Sequence, residues 1–284
     1  MTRWLVTGAG GMLGQDLVPM LPPEATTAST RADLDVTDTA AVGDAVAGHD
    51  VVVHLAAWTD VDGAEAEPDA AMEVNGVGTA NVAKACQAHG ARLIHVSTDY
   101  VFDGTATEPY PEDTPVNPVS AYGRSKAEAE RAVLEHLPGS GAILRTAWLY
   151  GEHGPNFVST MRHLAATRDH VDVVDDQSGQ PTWTRDLAER IVDLVRAGAP
   201  PGVYHATNAG QATWFQLAQA VFAVLGLDPG RVRPTTSDRF VRPAPRPAYS
   251  VLGHAGWAKA ALPPMRPWRQ AFDAAAVRML TSVR

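Results

Sequence analysis

Apolar runs of strand length recur through the first half of the chain, at 4–7, 51–55, 93–97 and 142–145, with a more polar candidate at 26–29. Within 51–55 and 93–97 the apolar residues follow one another instead of alternating with polar ones, the pattern of a strand covered on both faces. Between the runs the spacing turns helical: at 15–21, from the Asp or Thr cap offered by Leu34-Asp35-Val36-Thr37-Asp38 through Val46, at 70–89 and at 125–136. Strand and helix in strict succession predict an α/β fold, a doubly wound parallel sheet with its ligand across the carboxyl ends of the strands.

Beyond Tyr150 the rhythm changes. Helices are predicted at 157–167, 184–197 and 214–225, short strands at 171–174 and 202–205, and a last helix at 268–281. At 229–247 prolines and arginines alternate too densely for regular elements, so a structured loop is expected. A chain of 284 residues with 45% hydrophobic content can bury a full core. Its net charge of -9 argues against nucleic acid or an anionic membrane as a partner, since both call for a basic surface. The single cysteine, Cys86, excludes an intramolecular disulfide framework, and no apolar run approaches a membrane span, so a cytoplasmic protein is expected.

Chemistry gathers at the strand ends. Gly8-x-x-Gly11-Met12-Leu13-Gly14 lies between the first strand and the first helix, where glycines let the backbone turn tightly against a pyrophosphate and the helix amides meet its charge. No Lys-Ser/Thr follows Gly14, which disfavours a P-loop. We therefore expect residues 1–151 with about 180–206 to bind a dinucleotide, and about 152–179 with 207–284 to form a smaller substrate-binding region. The third strand ends in small residues, Ala56-Ala57-Trp58-Thr59, suited to backbone passing close to such a ligand, although tight helix packing would select the same residues. Ser97-Thr98-Asp99-Tyr100 ends the next strand. A helix start near Ala121 would set Tyr122 and Lys126 one turn apart on one face, a proton donor beside a cation. The ten histidines show no metal-ligand spacing and there is no G-x-S-x-G elbow, so metal hydrolysis and serine acylation are poorly supported. Arg231, Arg233, Arg239, Arg242 and Arg246 give the late loop a positive field that reads as a solvated surface or as a clamp for a diphosphate.

These residues together resemble the extended short-chain dehydrogenase/reductases, and within them the dTDP-4-dehydrorhamnose reductase family. The likeness runs through Thr7-Gly8-x-x-Gly11-x-x-Gly14, Ala56-Ala57-x-Thr59-x-Val61-Asp62, Ser97-Thr98-Asp99-Tyr100-Val101-Phe102-Asp103-Gly104 and Pro118 to Lys126. It continues in Arg145-Thr146-Ala147-Trp148-Leu149-Tyr150-Gly151, Val174-Asp175-Asp176-Gln177-x-Gly179-x-Pro181-Thr182 and Arg246-Pro247-x-x-Ser250-x-Leu252. The resemblance implies a Rossmann-like fold, a catalytic trio of Thr98, Tyr122 and Lys126, and a dTDP-linked 4-keto-6-deoxysugar as the ligand. In the implied mechanism hydride passes from NAD(P)H to the sugar C4 while Tyr122 protonates the oxygen, Thr98 hydrogen-bonds it, and Lys126 binds the nicotinamide ribose and lowers the Tyr122 pKa. Thr59, Val61, Thr98, Asp99, Tyr100, Trp148, Trp214 and Arg246 are placed around the substrate. Gly8, Gly11, Met12, Leu13, Gly14, Thr30, Arg31, Asp35, Val36, Ala56, Ala57, Thr59, Tyr122 and Lys126 are placed around the cofactor.

NADPH is expected over NADH, which stays possible. Thr30 stands where an NAD site usually has its acid and Arg31 could face a 2′-phosphate, while Asp33 is read as part of a turn. Some relatives carry an acid after the glycine loop that joins a magnesium-bridged dimer contact. Asp16 is at the matching place but shorter than Glu, so no metal ligand is assigned and Mg2+ and a homodimer stay open. Two alternatives share the fold. One is a nucleotide-sugar epimerase or dehydratase, disfavoured because Tyr100 stands where dehydratases typically carry an acid. The other is a noncatalytic regulatory subunit of a methionine adenosyltransferase, disfavoured because the whole trio is present.

Overall fold

The structure is a computed structural model that describes residues 1–280. In the first half, β1 (Trp4–Thr7), α1 (Met12–Leu17), β2 (Thr26–Ser29), α2 (Thr39–Val46) and β3 (Val51–His54) alternate. They are followed by α3 (Val61–Ala66), α4 (Pro68–Met72), α5 (Gly78–His89), β4 (Arg92–Thr98), α6 (Ala121–His136) and β5 (Gly141–Thr146). The second half holds β6 (Leu149–Tyr150), α7 (Phe157–Thr167), β7 (Val171–Val174), β8 (Ser178–Gly179), β9 (Thr182–Trp183) and α8 (Thr184–Arg196). After these come β10 (Gly202–His205), β11 (Ala212–Thr213), α9 (Trp214–Val224), β12 (Val232–Thr235) and α10 (Trp268–Met279).

A six-stranded sheet runs in the order β10-β5-β4-β3-β1-β2, and each neighbouring pair is parallel. The adjacent residues of each central strand explain the unbroken apolar runs. Leu5, Val52, Leu93 and Ile143 pack with Val42, Val82 and Val133 on one face, and Val6, Val53, Ile94 and Leu144 with Leu17, Leu187 and Ile191 on the other. β1 is the switch point, with β2 on one side and β3 on the other, so a crevice opens past their carboxyl ends. A separate core of Tyr150, Val158, Met161, Leu217, Val221, Phe222 and Phe272 holds the second half together.

Four segments differ from the sequence reading. The helix expected at 70–89 is broken: α4 passes through a π-helical turn at Glu73–Val77 before α5 begins. That turn brings the Asn75 side chain onto the Trp58 amide, at 2.8 Å, and the Ser125 hydroxyl, at 2.9 Å. The helix read from Ser125 starts at Ala121, because Ser120 caps it by accepting from the Gly123 amide at 3.0 Å. Part of the expected loop is the strand β12, paired in parallel with β7, and its Pro234 is tolerated in a two-stranded edge pair. The short helix α3 had no periodic signal of its own. Thr281, the expected end of the last helix, lies outside the described residues.

Candidate active site

A cavity of about 1060 Å³ follows the carboxyl ends of the sheet from the glycine turn to the α9 N-terminus. At one end it is walled by Gly8, Gly11, Met12, Leu13 and Gly14 after β1, by Thr30, Arg31, Asp35 and Val36 after β2, and by Ala56, Ala57 and Thr59 after β3. The turn is tight: Gly8 has φ +67°, and a Cβ there would meet the Ala56 backbone at 2.5 Å. Gly11 is the N-cap of α1 and no side chain caps the helix, which leaves first-turn amides available to an anion. These features fit a dinucleotide. Asp33 does not wall the cavity; its carboxylate accepts from the Thr30 amide at 2.9 Å and the Thr30 hydroxyl at 2.6 Å.

Thr98, Tyr122 and Lys126 meet in the middle of the same cavity. Thr98 is the last residue of β4, while α6 carries Tyr122 in its first turn and Lys126 one turn on. The Thr98 hydroxyl donates to Asp99 at 3.0 Å and accepts from the Tyr100 amide at 3.2 Å, so the oxygen is held from two sides. Burial pushes the Tyr122 hydroxyl up to about 12, against the pull of its hydrogen bond with Thr98; the Asp99 charge adds to the rise. Tyr122 is therefore a protonated phenol at neutral pH. The Lys126 ammonium donates to the Val96 carbonyl at 2.7 Å and to His95 Nε2 at 3.1 Å. Burial brings Lys126 down to about 8, with Glu130 acting in the other direction.

The far end of the cavity is aromatic. Trp148 and Trp214 stack with centroids 3.6 Å apart and planes 8° from parallel, and Tyr100 meets Tyr122 edge to face at 5.7 Å. Trp148 takes φ 47°, a left-handed backbone for a bulky residue, which lays its indole where a Cβ of Gly179 would stand. The Asp175-Asp176-Gln177 string is the tether for this end. Asp175 accepts from Thr213 at 2.5 Å, Asp176 from Ser237 at 2.7 Å, and Gln177 from the Trp214 indole at 3.1 Å.

Val61, Asp99 and Tyr100 also wall the cavity, so of the residues placed from sequence around the cofactor or the substrate only Arg246 does not. Arg246 stands at its edge, 6.0 Å from the Tyr100 ring centroid, and pairs with Asp62 at 2.9 Å. The arginine cluster is not one clamp: Arg231 donates instead to the Ala165, Arg168 and Asp169 carbonyls at the end of α7. Asp16 accepts from Thr184 at 2.5 Å and so ties α1 to α8. Among the described residues no group of three or more His, Cys, Asp or Glu could hold a metal ion. The sequence reading gave no role to His95, His54 or Asp62.

The chain matches the RmlD substrate binding domain family over residues 2–281. It is 57% identical to a dTDP-4-dehydrorhamnose reductase of Streptomyces griseus over 277 residues, 95% of this chain and 91% of that one. It is 53% identical to a dTDP-4-keto-6-deoxy-D-glucose reductase of Streptomyces niveus, over 96% of each chain. The solved structure of a Bacillus anthracis dTDP-4-dehydrorhamnose reductase in complex with NADP superposes with a TM-score of 0.93 at 36% identity, covering 98% of this chain and 100% of that one.

Proposed function

The chain belongs to the dTDP-4-dehydrorhamnose reductase family, and from that premise we propose how its cleft reduces the C4 keto group of a dTDP-linked 4-keto-6-deoxysugar. The observation that carries the reading is the convergence of Thr98, Tyr122 and Lys126 in one cavity that also reaches the glycine turn. When bound, NAD(P)H supplies the hydride that goes to the C4 carbon. Gly8 to Gly14, Thr30, Arg31, Asp35, Val36 and Ala56 to Thr59 would hold it, with Lys126 on the nicotinamide ribose. The phenolic proton of Tyr122 goes to the C4 oxygen, and Thr98, its one hydroxyl proton turning from Asp99 to that oxygen, orients it by a hydrogen bond. Trp148, Trp214, Val61, Asp99 and Tyr100 enclose the sugar and exclude water, and Arg246 meets the diphosphate at the rim.

NADPH is the preferred cofactor in this reading. Support comes from Asp33, whose carboxylate is spent on Thr30, and from Arg31, which walls the cavity beside it. The matched Bacillus anthracis protein was solved with NADP. We propose with it a division into a dinucleotide-binding domain (1–151 with about 180–206) and a substrate-binding region (about 152–179 with 207–284), a cytoplasmic location and a homodimer. Among the described residues no helix is long and apolar enough to cross a membrane. Asp16 is already bound to Thr184, and no step here uses Mg2+.

The test is incubation with a dTDP-4-keto-6-deoxysugar and NADPH deuterated at the nicotinamide C4, with NMR of the product. Deuterium at sugar C4, in one configuration, is expected. Unchanged sugar would point to the dehydratase or the noncatalytic reading, and a product altered at C5 without net cofactor oxidation to the epimerase reading.

A further inference from the structure

We propose that His95 is a positioning residue for Lys126: its Nε2 accepts a hydrogen bond from the Lys126 ammonium and so fixes the place and the charge of that cation in the cleft. The proposal rests on the reading of Lys126 as the cation of the reductase site. An ammonium has three N–H donors and no acceptor. Two of the three are spent inside the protein, on the Val96 carbonyl at 2.7 Å and on His95 Nε2 at 3.1 Å, which leaves the third for a ligand. Because Lys126 donates, His95 must accept. Its ring is therefore neutral, with the proton on Nδ1.

The setting keeps the ring neutral, while its Nδ1–H has no hydrogen-bond partner among the described residues. His95 on β4 is paired in register with His54 on β3, and the two buried rings stack 5.5 Å apart at 30°. His54 is anchored at both nitrogens, Nδ1 to the Thr7 hydroxyl at 2.7 Å and Nε2 to the Thr79 hydroxyl of α5 at 3.2 Å. Two imidazoles thus form a fixed floor beneath the lysine. Of the other ionisable groups, Tyr122 and Glu130 lie one turn before and one turn after Lys126 on α6, and Asp99, beyond the end of β4, walls the same cavity. Glu130 is bound by Arg145 of β5 at 2.7 Å. Burial, and next the Lys126 charge, hold His95 well below the ordinary histidine range and His54 down at about 3. Both rings are then neutral wherever the enzyme works, and His95 stays an acceptor. Removing the acceptor would strand one N–H of a buried ammonium and favour its neutral form.

The chain has three lysines, Lys84, Lys126 and Lys259. Lys84 and Lys259 are exposed, so a titration of isotope-labelled lysine side chains by NMR can follow Lys126 in the free protein, with Lys126→Met assigning the signal. His95→Leu should lower its midpoint by about 1 to 2 pH units. His95→Gln, whose amide can occupy the Nε2 position, should restore it to within about half a unit, whereas the shorter His95→Asn should behave like His95→Leu. The alkaline limb of kcat/KM should move with the midpoint in each variant. A Lys126 midpoint unchanged in His95→Leu would overturn the proposal. Should that variant fail to fold, equal midpoints in His95→Gln and His95→Asn would overturn it. Near-wild-type turnover in Lys126→Met would instead refute the reductase role of Lys126 and leave the titration result standing.

Discussion

The Arg246 guanidinium is paired with the Asp62 carboxylate, 2.9 Å away, at the rim of the cleft. The pair joins the loop before Ser250 to the start of α3, and Asp62 also accepts from the Ala244 amide at 3.2 Å. Arg246 is thereby held beside Tyr100, at the entrance to the aromatic end of the cavity.

Arg246→Ala should raise the KM for the sugar nucleotide by loss of a charged hydrogen bond, roughly 1.5 to 3 kcal/mol, and leave the cofactor KM unchanged. Calorimetric titration with dTDP checks it. Equal affinity in the two proteins would make the loop a solvated surface.

Cofactor choice should follow Arg31. NADPH should give the higher kcat/KM with the same sugar nucleotide, and Arg31→Ala should lose most of that discrimination by weakening NADPH alone. Equal or better kcat/KM with NADH in the wild type would return the ribose to Asp33, against its present bonds to Thr30.

Asp99 should couple stability to pH. Burial pushes its carboxyl up to about 6 from 3.8, against the pull of hydrogen bonds that include Thr98's. The folded state then binds the proton more tightly than the unfolded state, so stability is highest below this window and falls as pH rises through it, by on the order of 2 to 3 kcal/mol. Asp99→Asn, always neutral, should raise Tm more at pH 8 than at pH 5. The same Tm difference at both values would contradict this.

Some of this site could be read from sequence because its spacing is local. The glycine turn lies between a strand and a helix, Thr98 ends a strand, and Tyr122 and Lys126 fall one helical turn apart whatever surrounds them. The contacts that tune these residues are not local. His54 and His95 face each other only through the parallel register of β3 and β4, and Asp62 reaches Arg246 only when the late loop folds back over α3. β12 was hidden because its Pro234 and neighbouring arginines resemble a loop until β7 is there to pair with. The break at Glu73–Val77 followed from Asn75, a buried polar side chain that found partners in Trp58 and Ser125.

Lys126→Met should lower both turnover and cofactor affinity, since one ammonium serves the ribose and the charge of the site. Activity that needs this ammonium is lost as pH rises through about 8, where burial has brought the group. Unchanged cofactor affinity in the variant would remove the ribose contact from the mechanism.

Tyr122→Phe removes one hydroxyl, which burial keeps protonated with a pKa near about 12, and leaves the cavity walls in place. The most direct measurement is single-turnover reduction of the 4-keto sugar nucleotide by this variant, with the affinities for cofactor and dTDP measured on the same preparation. Loss of about 10²- to 10⁴-fold in rate, with both affinities retained, is the expected result for a general acid. A rate near that of the wild type would contradict proton donation by Tyr122.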